Sequence, residues 1–233
     1  VHASWLSHNG FRGRPVELIE ALKAVVGPGG LLSMTSMPYH NESSAQFLER
    51  GGVMDVRRSA SRMGLLTEVF RRNRETRRSL SPTHPILAWG ERADWFVADH
   101  QNCLSPFGPG SPFAKLLQLD GKILTLDAPF STITFTHFLE DRIASSLPFS
   151  LYEPQPRTAT VVDDQDRHLE VPVRVISREA NARRREERLV AALEREGLLH
   201  RSRVGNTRLL LVECRAMTDC VDRMVAAGQS FFD

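Results

Sequence analysis

The stretch from Val1 to Met37 constrains the fold of this 233-residue chain more than any other. Val1-His-Ala-Ser-Trp-Leu6 reads as a strand and Ser7 to Arg14 as a turn-rich loop. Pro15 then opens a run, Val16 to Val26, whose apolar residues recur at i, i+3 and i+4. Proline suits the first position of a helix because no N–H is needed there, and the period gathers the apolar side chains on one face. Gly27-Pro-Gly-Gly30 stops the helix, and Leu31 to Met37 reads as the next strand. Strand, helix and strand in that order predict a βαβ unit with parallel pairing. The loop before the helix then lies at the carboxyl ends of strands, where open α/β sheets bind ligands.

A hydrophobic content of 41% supports a sizeable core. We therefore expect one α/β domain over 1–233, a three-layer α/β/α sandwich with a mixed central sheet. Its first part, 1–147, carries cofactor binding and catalysis, and 148–233 adds a hairpin and helices. Thirty basic and 28 acidic side chains leave a formal charge of +2, which excludes a general polyanion binder and hence nucleic acid as partner. Cys103, Cys214 and Cys220 are three in number and fit no disulfide framework, so reduced thiols in the cytoplasm are expected. No apolar run reaches the ~18–20 residues that span a bilayer, so no membrane partner is expected. The chain opens on Val1 inside a strand-like run, so a preceding segment is expected.

Along the rest of the chain, 41–62 reads as an irregular polar excursion, 63–74 as a helix with Leu65, Leu66, Val69 and Phe70 as its stripe, and 86–90 as a strand. Helices at 92–100 and 113–119 flank a Gly/Pro/Ser loop, and 122–126 is a strand. Residues 159–162 and 169–176 suggest a hairpin, and 182–196 a single charged helix whose arginine run, 183–188, reads as a solvated face. A strand over 204–212 and a closing helix from Asp219 complete the pattern.

The chemistry concentrates after the strand at 122–126. Thr134, His137 and Glu140 stand at even three-residue spacing, so a helix starting near Thr134 places a hydroxyl, an imidazole and a carboxylate on one face. Histidine suits proton transfer near neutrality, and a neighbouring carboxylate fixes its tautomer. His100-x-x-Cys103 and His137-x-x-Glu140-Asp141 contain zinc-ligand types, but neither completes a metal motif, and no metal is expected.

Several motifs in fixed order carry a resemblance: Met63-Gly64 with Glu68-x-Phe70-Arg71, then Arg77-Arg-Ser79, His84-Pro85, Ala88-Trp-Gly90, Ala93 and His100. Ser111-Pro112 and Thr134-x-x-His137-x-x-Glu140 follow, with weaker matches at Val1 to Ser4 and Val204-Gly205. The chain resembles the aminoglycoside 3-N-acetyltransferase family, which is unrelated to the GCN5 fold. The resemblance implies acetyl-CoA as co-substrate and a small amine acceptor such as an aminoglycoside. It also implies His137 as general base, Glu140 as its orienting partner and Thr134 as a hydroxyl near the thioester carbonyl. The loop before the first helix, with Ser4, Ser7, Gly10, Phe11, Arg12, Gly13 and Arg14, is then the expected cradle for acetyl-CoA, since glycines let backbone amides approach phosphate. Ser111 is expected to add a contact to the same ligand, and Asp55, Glu68 and His84 to meet the acceptor. A monomer or homodimer is expected.

Two departures stand out. The segment 55–85 holds eight arginines against three acids, an odd field for a polycation. An amine on an anionic carrier, such as a nucleotide-linked amino sugar, is therefore the alternative acceptor, and a non-catalytic binding protein the lesser one. Asp127 also stands where the family commonly has glycine.

Overall fold

The computed structural model describes residues 1–5 and 11–233. Its first half contains β1 (His2–Ala3), α1 (Pro15–Val26), β2 (Leu32–Thr35), α2 (Ser44–Glu49), β3 (Met54–Asp55), α3 (Leu65–Arg71), β4 (Arg77–Arg78) and β5 (Ile86–Trp89). There follow α4 (Ala93–Val97), α5 (Pro112–Gln118), β6 (Lys122–Leu126) and α6 (Phe135–Ile143). The remainder is β7 (Arg157–Val162), β8 (His168–Val173), α7 (Arg178–Arg183), α8 (Glu186–Arg195), β9 (His200–Val204), β10 (Thr207–Glu213) and α9 (Cys214–Ala226).

Parallel and antiparallel pairs both occur, as a mixed α/β architecture requires, and the strands of the described residues divide into three sheets: β1-β6-β10-β9, β2-β5-β4 and β3-β7-β8. The layering is written in β5. Side chains alternate across a strand, and Leu87 is buried against Ile19 of α1 and Leu66 and Phe70 of α3. Its neighbours Ile86 and Ala88 are buried in the opposite core with Phe96, Phe113, Phe135, Leu139 and Val221. Helices therefore cover both faces, and complete burial of a side chain such as Phe70 contributes about 1.5–3 kcal/mol.

Four sequence expectations need correction. The parallel partner of β1 is β6, with His2 opposite Thr125, rather than β2. β2 runs antiparallel to β5 and meets the first strand where the Val1 amino group donates to the Ser33 carbonyl at 2.7 Å. The excursion 41–62 contains α2, whose capping box joins Ser43 and Gln46, and β3, which pairs in parallel with β7. The strand expected over 204–212 is the second arm of a hairpin: Gly205, at φ +58°, and Asn206 turn β9 into β10. The charged helix over 182–196 is two helices, because Arg184 is extended (φ −61°, ψ 132°) and forms an antiparallel bridge with Phe232. Tertiary pairing there overrides a strong local helix preference.

Asp127 adopts φ +53°, the left-handed turn a glycine would make. Its carboxylate accepts from the Arg208 N–H at 2.8 Å and its own N–H donates to the Arg208 carbonyl at 2.9 Å, which anchors the turn to β10.

Candidate active site

Helix α6 is held by Phe135, Phe138, Leu139 and Ile143, all buried in the large core. That anchoring fixes where His137 and Glu140 project. A 3₁₀ turn at Phe130–Thr132 leads into the helix, and Thr134 already has helical angles (φ −62°, ψ −20°) with no capping bond from its side chain. Its hydroxyl is thus not engaged in capping.

His137 Nδ1 lies 2.9 Å from Glu140 Oε2. Glu140 is completely buried, and Arg184 forks onto it, Nη2 at 2.9 Å from Oε2 and Nε bonded to Oε1. Burial alone, the largest influence, would raise the carboxyl, but the charge and hydrogen bond of His137 and those of Arg184 together leave it below its usual range. An ionised Glu140 accepts the Nδ1 proton, so the lone pair of the neutral ring is on Nε2. The His84 ring stands 6.1 Å from that of His137 and Phe107 stands 5.2 Å away. His84 is buried, bonds Thr83 at 3.0 Å and Tyr39 Oη at 3.4 Å, and is kept neutral chiefly by that burial.

His137 and Thr134 line a cavity of about 540 Å³ that also reaches Ser4, Met37, Arg62 and Ser131. It opens at the carboxyl ends of the parallel pair β1 and β6, the place where such sheets bind ligands. A second, apolar cavity of about 540 Å³ shares Ala3, Ser4 and Trp5 with it and extends past Phe11 and Leu18 to the β9–β10 turn. The two cavities thus flank the same segment, Ala3 to Trp5, one on the side of the imidazole and one toward α1.

The expected cofactor residues distribute over the two cavities unevenly. Ser4 lines both cavities and Phe11 the outer one, while Ser7 and Gly10 lie outside the described residues. A Cβ at Gly13 would fall 2.5 Å from Glu17 Oε2 and 2.6 Å from Phe11 Cζ, so these two side-chain ends would have to move for any larger residue. Arg12 is exposed. Arg14 caps α1 and pairs through Nε with Glu17 at 3.1 Å, while staying largely solvent-exposed. Ser111 is completely buried and accepts from the Ala114 N–H as the cap of α5, lining neither cavity.

A model of the family described as aminoglycoside 3-N-acetyltransferase matches residues 1–226. This chain belongs to that family. Aminoglycoside N(3)-acetyltransferase IV of Salmonella sp is 29% identical over 164 residues, covering 70% of this chain and 57% of the relative. Aminoglycoside N(3)-acetyltransferase VII of Streptomyces paromomycinus is 33% identical over 140 residues, covering 55% of this chain and 48% of the relative. The chain thus spans about half the length of the curated relatives it matches. Among solved structures, AAC-IIIb in binary complex with CoASH superimposes with a TM-score of 0.77 at 24% identity, over 98% of this chain and 89% of that one. A histidine-to-alanine mutant of aminoglycoside acetyltransferase AAC(3)-IVa, in complex with a gentamicin, gives 0.75 at 24% identity, over 97% and 81%. At that identity the superpositions establish the shared fold.

Within this family member, two expected acceptor contacts are placed away from His137. Asp55 accepts from the Arg57 and Arg58 backbone and from the Arg58 side chain. Glu68 accepts from Arg71, Arg72 and the Ser61 N–H, and neither carboxylate lines the His137 cavity. His84 alone of the three is brought near the imidazole. The arginine-rich segment is also partly paired: Arg57 and Arg58 meet Asp166, Arg77 meets Asp94, and Arg78 is buried on the carbonyls of Ser36 and Ser59. Asp55, Glu68, Asp94 and Asp166 thus pair with five of the eight arginines, which weakens the field read from the sequence without cancelling it.

Arg184 is the site residue that sequence reasoning missed, hidden in a run that looks solvated. Its signal was available only as the pairing of residues 183–185 with 231–233. Burial pushes the Cys214 and Cys220 thiols up to about 12 and about 11, and raises Cys103 as well, so no described cysteine is poised as a nucleophile. His100 is likewise structural, bonding Ser79 Oγ and the Pro106 carbonyl at 2.8 Å each. Among the described residues no cluster of three or more His, Cys, Asp or Glu could hold a metal ion, and no helix is long and apolar enough to cross a membrane.

Proposed function

We propose that this chain transfers the acetyl group of acetyl-CoA directly to an amine of an aminoglycoside, with His137 as general base. The observation that carries the reading is the His137–Glu140 pair at 2.9 Å, beside Thr134 on a cavity whose wall includes Ala3, Ser4 and Trp5, which a second cavity toward α1 shares. Membership of the family supplies the reaction class.

The chemistry follows from the groups present. An amine attacks only as the free base, so a neutral imidazole Nε2 takes its proton as nitrogen bonds to the thioester carbonyl carbon. The carbonyl oxygen becomes an oxyanion, to which the Thr134 hydroxyl donates, a role supported by Thr134 lining the same cavity as His137. The intermediate collapses by breaking the C–S bond, and the imidazolium returns the proton to the departing CoA thiolate. Glu140 stays ionised throughout, holding Nδ1–H and stabilising the transient imidazolium. The acetyl-CoA thioester lies in the inner cavity and its pantetheine along Ser4 and Trp5, with Phe11 flanking the outer, apolar part.

Thiol release from acetyl-CoA, followed against a panel of aminoglycosides and of simple amines, tests this. Amine-dependent release with the aminoglycosides is expected, with an N-acetylated product by mass spectrometry. Release that ignores the amine, or none with any acceptor, would defeat the assignment.

A further inference from the structure

Glu140 is held between two donors that come from distant parts of the chain. Arg184, 44 residues further on, brings Nη2 to 2.9 Å from Oε2, the same oxygen that His137 Nδ1 approaches at 2.9 Å. The two nitrogens are 3.5 Å apart. Both are donors when the ring is neutral at Nε2, so they do not bond each other but share one acceptor. Arg184 Nε completes the fork on Oε1.

A buried carboxylate facing an imidazole alone would direct its whole charge at the ring and favour the imidazolium. A base that already holds a proton cannot accept another. The guanidinium is permanently charged and bidentate, so it offsets much of that field while keeping the carboxylate ionised and oriented.

The fork depends on an unusual mount. Arg184 stands in the break between α7 and α8, where it bridges Phe232. Around it the Arg185 N–H donates to the Phe231 carbonyl at 2.8 Å and the Asp233 N–H to the Arg183 carbonyl at 2.9 Å. Phe231 and Phe232 are buried, and Arg185 and Arg188 both reach the Asp233 carboxylate.

We propose that Arg184 is a positioning residue, mounted by residues 231–233, that divides the charge of Glu140 and so keeps the His137 ring in its free-base form. The other charged or titratable groups around His137 are Glu186 at the start of α8, which burial biases toward its neutral form, His84, which is neutral, and the exposed His40 and Arg62 on the same cavity. Of these Arg62 is permanently charged but solvent-exposed, whereas Arg184 is bonded to the buried carboxylate itself.

The proposal rests on the reading of His137 as base, and its test is independent of acetyl transfer. The His137 ring is titrated by NMR in the full chain, in wild type, Arg184→Gln and Arg184→Lys, with kcat and KM measured against pH in parallel. Arg184→Gln should raise the His137 midpoint by about one pH unit, move the acid limb of kcat by the same amount, and leave the KM for acetyl-CoA unchanged. Arg184→Lys, which restores the charge, should return the midpoint toward wild type. Arg184→Gln strands a buried carboxylate and could prevent folding. In that event Glu140→Gln and the double variant E140Q/R184Q carry the comparison, and loss of Arg184 must again raise the midpoint. An unmoved midpoint in whichever comparison folds overturns the proposal. Wild type that titrates as described yet transfers no acetyl group would instead refute the base role alone.

Discussion

Glu140 with Arg184 and Glu68 with Arg71 are built from the same two side chains, a guanidinium forked on a carboxylate. Their surroundings give them different work. Glu68 has every acceptor position taken by arginines and a backbone N–H: Arg71 Nε at 2.7 Å and Nη2 at 2.8 Å, Arg72 Nε at 2.7 Å, and the Ser61 N–H at 2.8 Å. Arg71 in turn reaches the Arg57 carbonyl, so that pair ties 57–61 to α3. Glu140 shares one oxygen with an imidazole whose other nitrogen has no hydrogen bond among the described residues and which lines a cavity. A salt bridge closed on itself stabilises a fold, whereas one that leaves a titratable partner facing a cavity can move a proton.

The sharpest way to break this contrast is His137→Ala. Loss of the general base should lower kcat by about 10²–10⁴ while the KM for acetyl-CoA and the melting temperature stay near wild type. Steady-state kinetics with thermal denaturation decide it, and near-normal turnover would place the base elsewhere.

Glu68→Gln should show the converse pattern. It leaves Arg71, only 10% exposed, without its charge partner and should cost about 2 kcal/mol in stability, read by urea denaturation, with kcat altered less than about twofold. A raised KM for the acceptor would instead put Glu68 in contact with substrate. The same carboxyl has a pH signature. Hydrogen bonds from Arg71, opposed by burial and aided by Arg72 and Ser61, hold it at about 2, against 4.5 for the free group. A depressed carboxyl binds more protons when unfolded, so its stabilisation is complete above pH 4.5 and is lost as pH falls toward 2. In Glu68→Gln the acid side of the stability profile should be correspondingly flatter.

The smallest effect belongs to Arg57→Ala and Arg58→Ala. Their pairs with Asp166 are exposed on both sides and screened by salt, so neither melting temperature nor kcat should move measurably at physiological ionic strength. A marked fall in activity with either variant would reopen the arginine segment as a substrate surface.

What could be read from the chain without its fold was governed by near neighbours. Pro15 and Gly27 bounded α1 because helix ends depend on a few adjacent backbone groups, and the runs read at 159–162 and 169–176 fell on a hairpin, β7 and β8, because its strands are joined by a short turn. The three-residue spacing of His137 and Glu140 became a 2.9 Å hydrogen bond because a helix fixes that geometry by itself. Even the family was legible, since its motifs are short and ordered. The tertiary structure alone decided that β1 pairs with β6, that the charged run breaks at Arg184, and that Asp55 and Glu68 are closed in ion pairs away from the cavity. These outcomes join residues tens to more than a hundred positions apart, where local propensity is outweighed by which faces must be buried together and which carboxylate a guanidinium can then reach.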